Sequence, residues 1–416
     1  MQIPSAPSID HATRLGGRDA FRSARRKAAW RALALALPLL VFLLATFVAP
    51  IAILLARSVQ NPEVRSAMPA LTRALAAWNG AEVPDEAAYA ALAQGLRDAA
   101  QADQLGNVAR RLNFYAPEFR SLMMKTARAT RSQSPAAWRP VLIGVDERWG
   151  QSETWRILKR ASLSPTPDYL LNAVDAQVGA DGAVASIPAE SAVYRAAFAR
   201  TVWIGASVTV ICLLLGYPVA YLLANLPTKQ SNRLMLFVIV PFWTSLLVRT
   251  TAWYVLLQPG GVVNSALMRM HLITHPVPLI FNRTGVLIGM THILLPYMIL
   301  AIYSVMKGVS PVYMRAAQSL GAHPVTAFVR VYIPQTLPGV GAGVFLVFVL
   351  ALGYYITPAL LGGAGDEMIS QLIASQTNEQ LNWGLAGALS FYLVVFTAVF
   401  YVIFNRLVGI DRLRFG

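Results

Sequence analysis

Six stretches of this chain are each long and apolar enough to cross a bilayer. An α-helix needs about 20 largely apolar residues to span the hydrocarbon core. Runs at about 32–56, 202–226, 234–257, 285–306, 339–362 and 385–405 meet that requirement, each rich in Leu, Val, Ile, Phe and Ala. Lipid offers the backbone no hydrogen-bond partner, so segments of this kind must satisfy their N–H and C=O groups internally, as helices do. The expected fold class is therefore all-α: a polytopic membrane protein with six transmembrane helices. Composition agrees, with 56% hydrophobic and only 13% charged residues. The first run is longer than the apolar core of a cleavable signal, about 7–15 residues, and lacks a small-x-small exit, so it is expected to stay as a helix.

A formal charge of +15 raises the question of nucleic acid, and the placement of the bases answers it. Arg14, Arg18, Arg22, Arg25, Arg26, Lys27 and Arg31 crowd the N-terminus, and others stand just beyond apolar runs, as topology signals do. No nucleic-acid partner is expected; the lipid bilayer is. Lys229 and Arg233 lie in the 227–233 turn, and Lys307, Arg315 and Arg330 lie in the 307–338 loop. Arg406, Arg412 and Arg414 follow the last run. With six spans these segments fall on one side, expected to be cytoplasmic together with both termini. The opposite loop near 363–384 carries Asp366, Glu367 and Glu379 with no Lys or Arg, although 258–284 holds Arg269 and Arg283 against the trend.

Residues 58–198 differ in kind. They mix acids and bases and hold Ala-rich helical patterns such as Asp85–Arg97, a second amphipathic candidate from Asp146 to Lys159, and a turn at Ser164-Pro-Thr-Pro-Asp168. The chain is thus expected to divide into a basic cytoplasmic tail (1–31), a first transmembrane helix (32–57), a mostly helical external insert (58–198), a five-helix core (199–408) and a cytoplasmic tail (409–416). The bases of the insert do not conflict with this topology, because long segments translocate largely regardless of charge. The insert shows no metal-ligand spacing, nucleophile elbow or phosphate loop. Cys212, the single cysteine, lies in an apolar run and reads as a small buried hydrophobe.

The 307–338 loop is too polar and too broken by Gly and Pro to span the bilayer. It reads Tyr313-Met-Arg-Ala-Ala-Gln-Ser-Leu-Gly321-Ala-His-Pro and closes in Ile-Pro334 and Leu-Pro338. This pattern resembles the cytoplasmic coupling loop of ABC importer permeases. Gly216-Tyr-Pro-Val-Ala-Tyr221, Pro241-Phe-Trp-Thr-Ser-Leu-Leu-Val-Arg249-Thr, His292-Ile-Leu-Leu-Pro-Tyr297 and Ile356-Thr-Pro-Ala-Leu-Leu-Gly-Gly363 are similar, in order, to permeases of the spermidine/putrescine type. Together they cover about 200–410. The resemblance implies an inner-membrane permease subunit that is not itself an enzyme. It also implies two ATP-binding subunits, a second permease (expected to be a different chain) and an external solute-binding protein, with polyamines or similar small organic solutes as cargo. No catalytic residue, cofactor or metal is expected on this chain. Two departures stand out: Arg315 replaces the usual Glu before Ala-Ala, and the external segment is longer than usual.

Residue by residue, the resemblance makes 311–327 a loop helix that docks on the ATPase. Ala316 and Ala317 permit close approach, Arg315 sits where a charge pair would form, Gly321 and Ala322 turn the chain, and Pro334 and Pro338 lead into the next span. The alternative is an ordinary connecting loop. Arg249, inside the third span, is a costly charge that lines a path, pairs with the second permease, or serves structure. Trp243, Trp253 and Tyr217 offer aromatic faces to an amine, or simply anchor the interface. Asp366, Glu367 and Glu379 are candidate contacts for the binding protein, or plain solvated acids. Two rivals remain at this level: a membrane-anchored sensor or enzyme working through 58–198, and a permease for ferric ion, sulfate or phosphate.

Overall fold

The computed structural model describes Trp30 and residues 34–131, 133–179 and 183–408. Apart from Trp30, the basic tail 1–31 lies outside the described residues, as do 409–416 with Arg412 and Arg414. The chain forms two compact units, Met1–Ala56 and Arg57–Gly416. The first contains most of the apolar helix Ala34–Arg57, which carries a π-bulge at Leu44–Val48.

The second unit holds both the insert and the remaining spans. Four helices pass as unbroken spans: Tyr194–Asn225, Arg283–Met306, Pro324–Leu352 and Trp383–Leu407. The expected third span, 234–257, is instead a broken pair, Thr228–Trp243 and Leu246–Leu256, bent by 98°. Three local features explain the break. Pro241 withholds a donor at the start of a 3-10 turn, Thr244 is extended, and Ser245 caps a new helix by accepting from the Leu247 N–H at 3.3 Å. The expected fifth span, 339–362, is shifted: the helix starts at Pro324 and ends at Leu352, and Ile356–Leu361 forms a separate short helix. The second, fourth and fifth spans pack mutually around Val208, Cys212, Met290, Leu294, Met298 and Val347. Their outward faces stay apolar, as Val210, Leu214 and Leu222 show, which suits lipid.

The insert is helical, with one short antiparallel hairpin, Ala176–Val178 against Val184–Ser186. Asp85 caps Glu86–Gln101, which covers the expected Asp85–Arg97 helix, and Asp146–Lys159 divides into a 3-10 turn and the helix Ser152–Ser162. The core of the insert is built mainly of Leu and Ala around a few large aromatic rings. Trp149 and Trp155 are fully buried with centroids 5.5 Å apart, and Tyr89 lies 4.6 Å from Trp155. Their polar atoms are satisfied: Tyr89 O–H donates to the Trp149 carbonyl, Trp149 Nε1 to Thr126 Oγ1 at 2.9 Å, and Trp155 Nε1 to the Trp149 carbonyl at 3.0 Å.

Two joints tie the insert to the spans. Buried Asp175 accepts from the backbone N–H groups of Val193, Tyr194 and Arg195, at 3.1, 3.1 and 2.7 Å. A carboxylate there satisfies the orphan donors at the start of the second span and suits the positive end of its dipole. Tyr169 packs directly on Gly384 of the last span, leaving no room for a side chain at that position. We therefore expect Gly384→Ala to loosen this joint at a cost of about 1–3 kcal/mol, the usual range for overpacking. Limited proteolysis should then cut the insert faster, and adding Tyr169→Leu should restore resistance; unchanged cleavage in Gly384→Ala would contradict the contact.

Candidate functional site: a docking loop and a buried arginine

The first candidate is the segment between the fourth and fifth spans. Ser310 accepts from the Val312 N–H at 3.3 Å, Pro311 fills the first turn, and the helix Pro311–Ser319 follows. It does not extend over the expected 311–327. The chain leaves the helix at Leu320, turns at Gly321 with φ +88°, and starts again at Pro324. The Ala322 N–H bonds the Ala317 carbonyl at 3.1 Å and the Gly321 N–H bonds the Gln318 carbonyl at 2.9 Å, a left-handed C-terminal cap that glycine supplies without strain. Pro334 stands in the first turn after a π-bulge at Phe328–Tyr332, and Pro338 is inside the fifth span, so both belong to the span and not to a loop before it.

The surface of this loop is apolar without being covered. Val312 is 57%, Tyr313 54%, Leu320 90% and Val325 63% exposed, and no residue of Pro311–Ser319 is buried. Arg315 and Ala316 are exposed beside them, while Ala317 and Ala322 are half-buried. Met314 faces the other way and packs on the core of the spans. An edge-to-face cluster of Tyr221, Phe328 and Tyr332 ties the loop's far end to the second span.

The second candidate is Arg249, one turn into the half-helix after the break. Its Nε and Nη1 atoms are buried and have no hydrogen-bond partner. His292 of the fourth span is its neighbour in charge, and His292 Nδ1 is likewise buried and unpartnered. Trp253 meets the His292 ring edge-on at 5.4 Å. Thr250, on the same turn, bonds Thr357 Oγ1 at 3.2 Å and anchors the half-helix. His292 is not among the site residues expected from the sequence, although a histidine inside an apolar span is a signal the sequence carries.

The other expected path residues do not join Arg249 and Trp253. The Tyr217 hydroxyl is 3.0 Å from Thr336 Oγ1 and links the second and fifth spans, a structural contact. Trp243 is 78% exposed on the 3-10 turn. The three acids also separate. Asp366 is buried and paired with Arg283 at 3.1 Å, and Arg283 also lies over the Trp203 ring at 5.0 Å, so Asp366 is not a free surface acid. Glu367 is half-buried, and its carbonyl accepts from Arg200 Nε at 2.7 Å. Glu379 alone is exposed, accepting from Ser375 Oγ at 2.8 Å. Among the described residues no group of three His, Cys, Asp or Glu side chains is arranged to hold a metal.

The spans include a broken helix, and an uncovered helix lies between two of them. Residues 213–410 match the family described as binding-protein-dependent transport system inner membrane component. The spermidine/putrescine transport system permease protein PotB of Haemophilus influenzae is 34% identical over 213 residues, covering 50% of this chain and 74% of the relative. The Escherichia coli protein of the same name is 35% identical over 198 residues, covering 48% and 72%. A solved bacterial ABC transporter that imports the acidic polysaccharide alginate aligns with a TM-score of 0.44 and 17% identity, over 53% of this chain and 80% of that one. The chain belongs to the family of binding-protein-dependent inner-membrane transport components. It is a multi-pass inner-membrane permease of an ABC importer, a transport subunit and not an enzyme. The matched region lies in the spans, which leaves the anchored sensor or enzyme reading without support.

Proposed function

We propose that this permease carries polyamines or chemically similar small organic cations inward, driven by ATP hydrolysed on a separate subunit dimer. The observation that carries the reading is the uncovered helix Pro311–Ser319 with its exposed Val312, Tyr313 and Leu320. A group of exposed apolar side chains outside the lipid marks an interaction surface, and the family points to the ATPase. The left-handed turn at Gly321 fixes that helix against the start of the fifth span, so motion of the docked partner is passed to the spans as a rigid displacement. Arg315 in place of the usual Glu makes the charge at the contact positive, which calls for an acid on the ATPase surface. The loop and both termini lie on the cytoplasmic side in this reading, and no cofactor resides on the chain.

Arg249 fits the same scheme as an interface residue. A polyamine path would gain nothing from an unshielded guanidinium, and among the described residues no carboxylate reaches its buried donors. We assign its partner to an acidic side chain of a second, different permease chain. Of the three acids, Glu379 remains the candidate for contact with an external binding protein. The overall reading is tested by purifying the tagged chain in mild detergent and identifying what accompanies it, then measuring uptake of radiolabelled putrescine in cells. An ATP-binding subunit and a second permease in the eluate, with uptake that needs all of them, is the expected result. The chain eluting alone after gentle crosslinking would refute it.

A further inference from the structure

The third and fifth spans are both interrupted, and packing brings the two interruptions together. In the third span Thr244 is extended and Ser245 is also non-helical, between Val240–Trp243 and Leu246–Leu256. In the fifth, the helix ends at Leu352 and resumes only at Ile356. Thr250 of the first half-helix bonds Thr357 of the second at 3.2 Å. Half-buried rings run between the breaks: Phe242 meets Tyr297 edge-on at 4.9 Å, and Tyr354 interacts electrostatically with both Tyr297 and Arg249. The unbroken fourth span gives their depth. Tyr297 stands past the middle of Arg283–Met306, so the break beside Phe242 lies well inside the hydrocarbon. Thr357 sits so close to Gly289 that a side chain there would meet its Cγ2 at 2.9 Å, which sets the second break against the half of that span nearer Arg283.

At that depth lipid cannot serve a backbone that has left the helix; such segments are tolerated only where they are buried in protein or line a wet cavity. Yet Thr244, Ser245, Gly353 and Tyr355 are exposed on this chain, Tyr355 by 43%. Some groups at the breaks are served from within. The Pro241 carbonyl accepts from the Thr244 N–H at 3.2 Å and from its hydroxyl at 2.8 Å, and the Leu352 carbonyl accepts from Ser370 Oγ at 2.5 Å. A helix end frees more carbonyls than these. A helix of a second permease laid over them would bring no free backbone N–H, since its own are committed within it, whereas water and ammonium groups are donors. The second span shows the contrast: its helix is continuous and its outward Val210, Leu214 and Leu222 are apolar, as lipid requires.

We propose that the two breaks form this chain's wall of a water-filled translocation path, where ammonium groups of the cargo meet the freed carbonyls and the faces of Phe242 and Tyr354. Acceptors that carry no fixed negative charge bind an amine weakly enough to let it go, which passage requires. Arg249 stands at the edge of this wall, and the acid assigned to it above cancels its charge toward the cargo. The wall rests on the breaks themselves; its ammonium ligand rests on the polyamine reading.

The test is thiol accessibility in the assembled transporter. Cys212 is the single cysteine and is buried, so Cys212→Ala gives a silent parent for Thr244→Cys, Tyr355→Cys and, as the lipid-facing control, Leu214→Cys. Intact cells and inverted membrane vesicles are treated with a charged, membrane-impermeant methanethiosulfonate, and the purified chain is read by mass spectrometry. Thr244→Cys and Tyr355→Cys are expected to react, from one side or the other, at least about tenfold faster than Leu214→Cys, because the reactive thiolate forms where water reaches it. Rates no faster than the control from both sides would overturn the wall. Putrescine is expected to slow both reactions about twofold at half-saturation, by occupying the site. Equal rates with and without putrescine, in a parent that takes putrescine up, would overturn the ammonium contact. Failure of the polyamine reading shows separately, as a parent that takes up no putrescine while the contrast with Leu214→Cys persists.

Discussion

Gly321→Val is expected to abolish import while leaving the chain in the membrane. Gly321 has φ +88°, and a side chain added there would meet nothing within 4 Å, so space is not the obstacle. The obstacle is the backbone: an L-residue in the left-handed region costs on the order of 1–2 kcal/mol, and a β-branched one more. The chain can relieve that strain by leaving the left-handed region, which would undo the bonds from the Gly321 and Ala322 N–H groups and re-aim Pro311–Ser319. A docking helix pointed elsewhere no longer meets its groove, and uptake is expected to fall by at least about tenfold with ATP hydrolysis uncoupled from transport, the consequence of losing a pre-set geometry. Gly321→Asn separates this from a general intolerance of change, because asparagine adopts the left-handed conformation more readily. Uptake near wild type in Gly321→Asn and near background in Gly321→Val is the expected pair. Full uptake in Gly321→Val would mean that the turn does not set the helix direction.

The sequence shows the spans because lipid imposes one rule on every residue of a run, and a run of that length is hard to mistake. The start of the loop helix at 311 is legible too, but its end is not: the left-handed turn at Gly321 stops it at Ser319, where the expected helix runs on to 327. Sequence patterns fail where two rules compete. Residues 234–257 are largely apolar and read as one helix, yet Pro241, Thr244 and Ser245 break them into two, because a cap and a missing donor outweigh hydropathy locally. The start of the fifth span is misread for the converse reason: Arg330, Pro334 and Pro338 look like loop, but Phe328–Tyr332 continues the helix through a π-bulge and both prolines lie within the span. Side-chain pairing is less legible still. Asp366 reads as a free acid until the fold brings Arg283, 83 residues away, against it. Arg249 and His292, 43 positions apart by their numbers, become one site only through packing.

That pairing carries the second large effect. Arg249→Gln is expected to lose import, since on the assignment proposed above its guanidinium pairs with a carboxylate of the second permease. Among the described residues its Nε and Nη1 have no partner, and Trp253, one turn on, meets the His292 ring edge-on. Truncating one side of a buried charge pair at an interface costs about 2–5 kcal/mol, much of it the penalty on the charge left behind. That is enough to remove the second permease from the purified complex, and uptake with it. Arg249→Lys keeps the charge but not the planar fork, and is expected to retain the second permease only partly. The readout that decides the role is composition, measured by mass spectrometry of the eluate alongside uptake. Loss of the second permease in Arg249→Gln places the arginine at the interface. A complete complex that hydrolyses ATP yet moves no putrescine would place it in the path instead, and the interface assignment would fall. Charge reversal sharpens the result: an acid-to-Arg change at the partner carboxylate, combined with Arg249→Glu, should recover assembly that either change alone destroys.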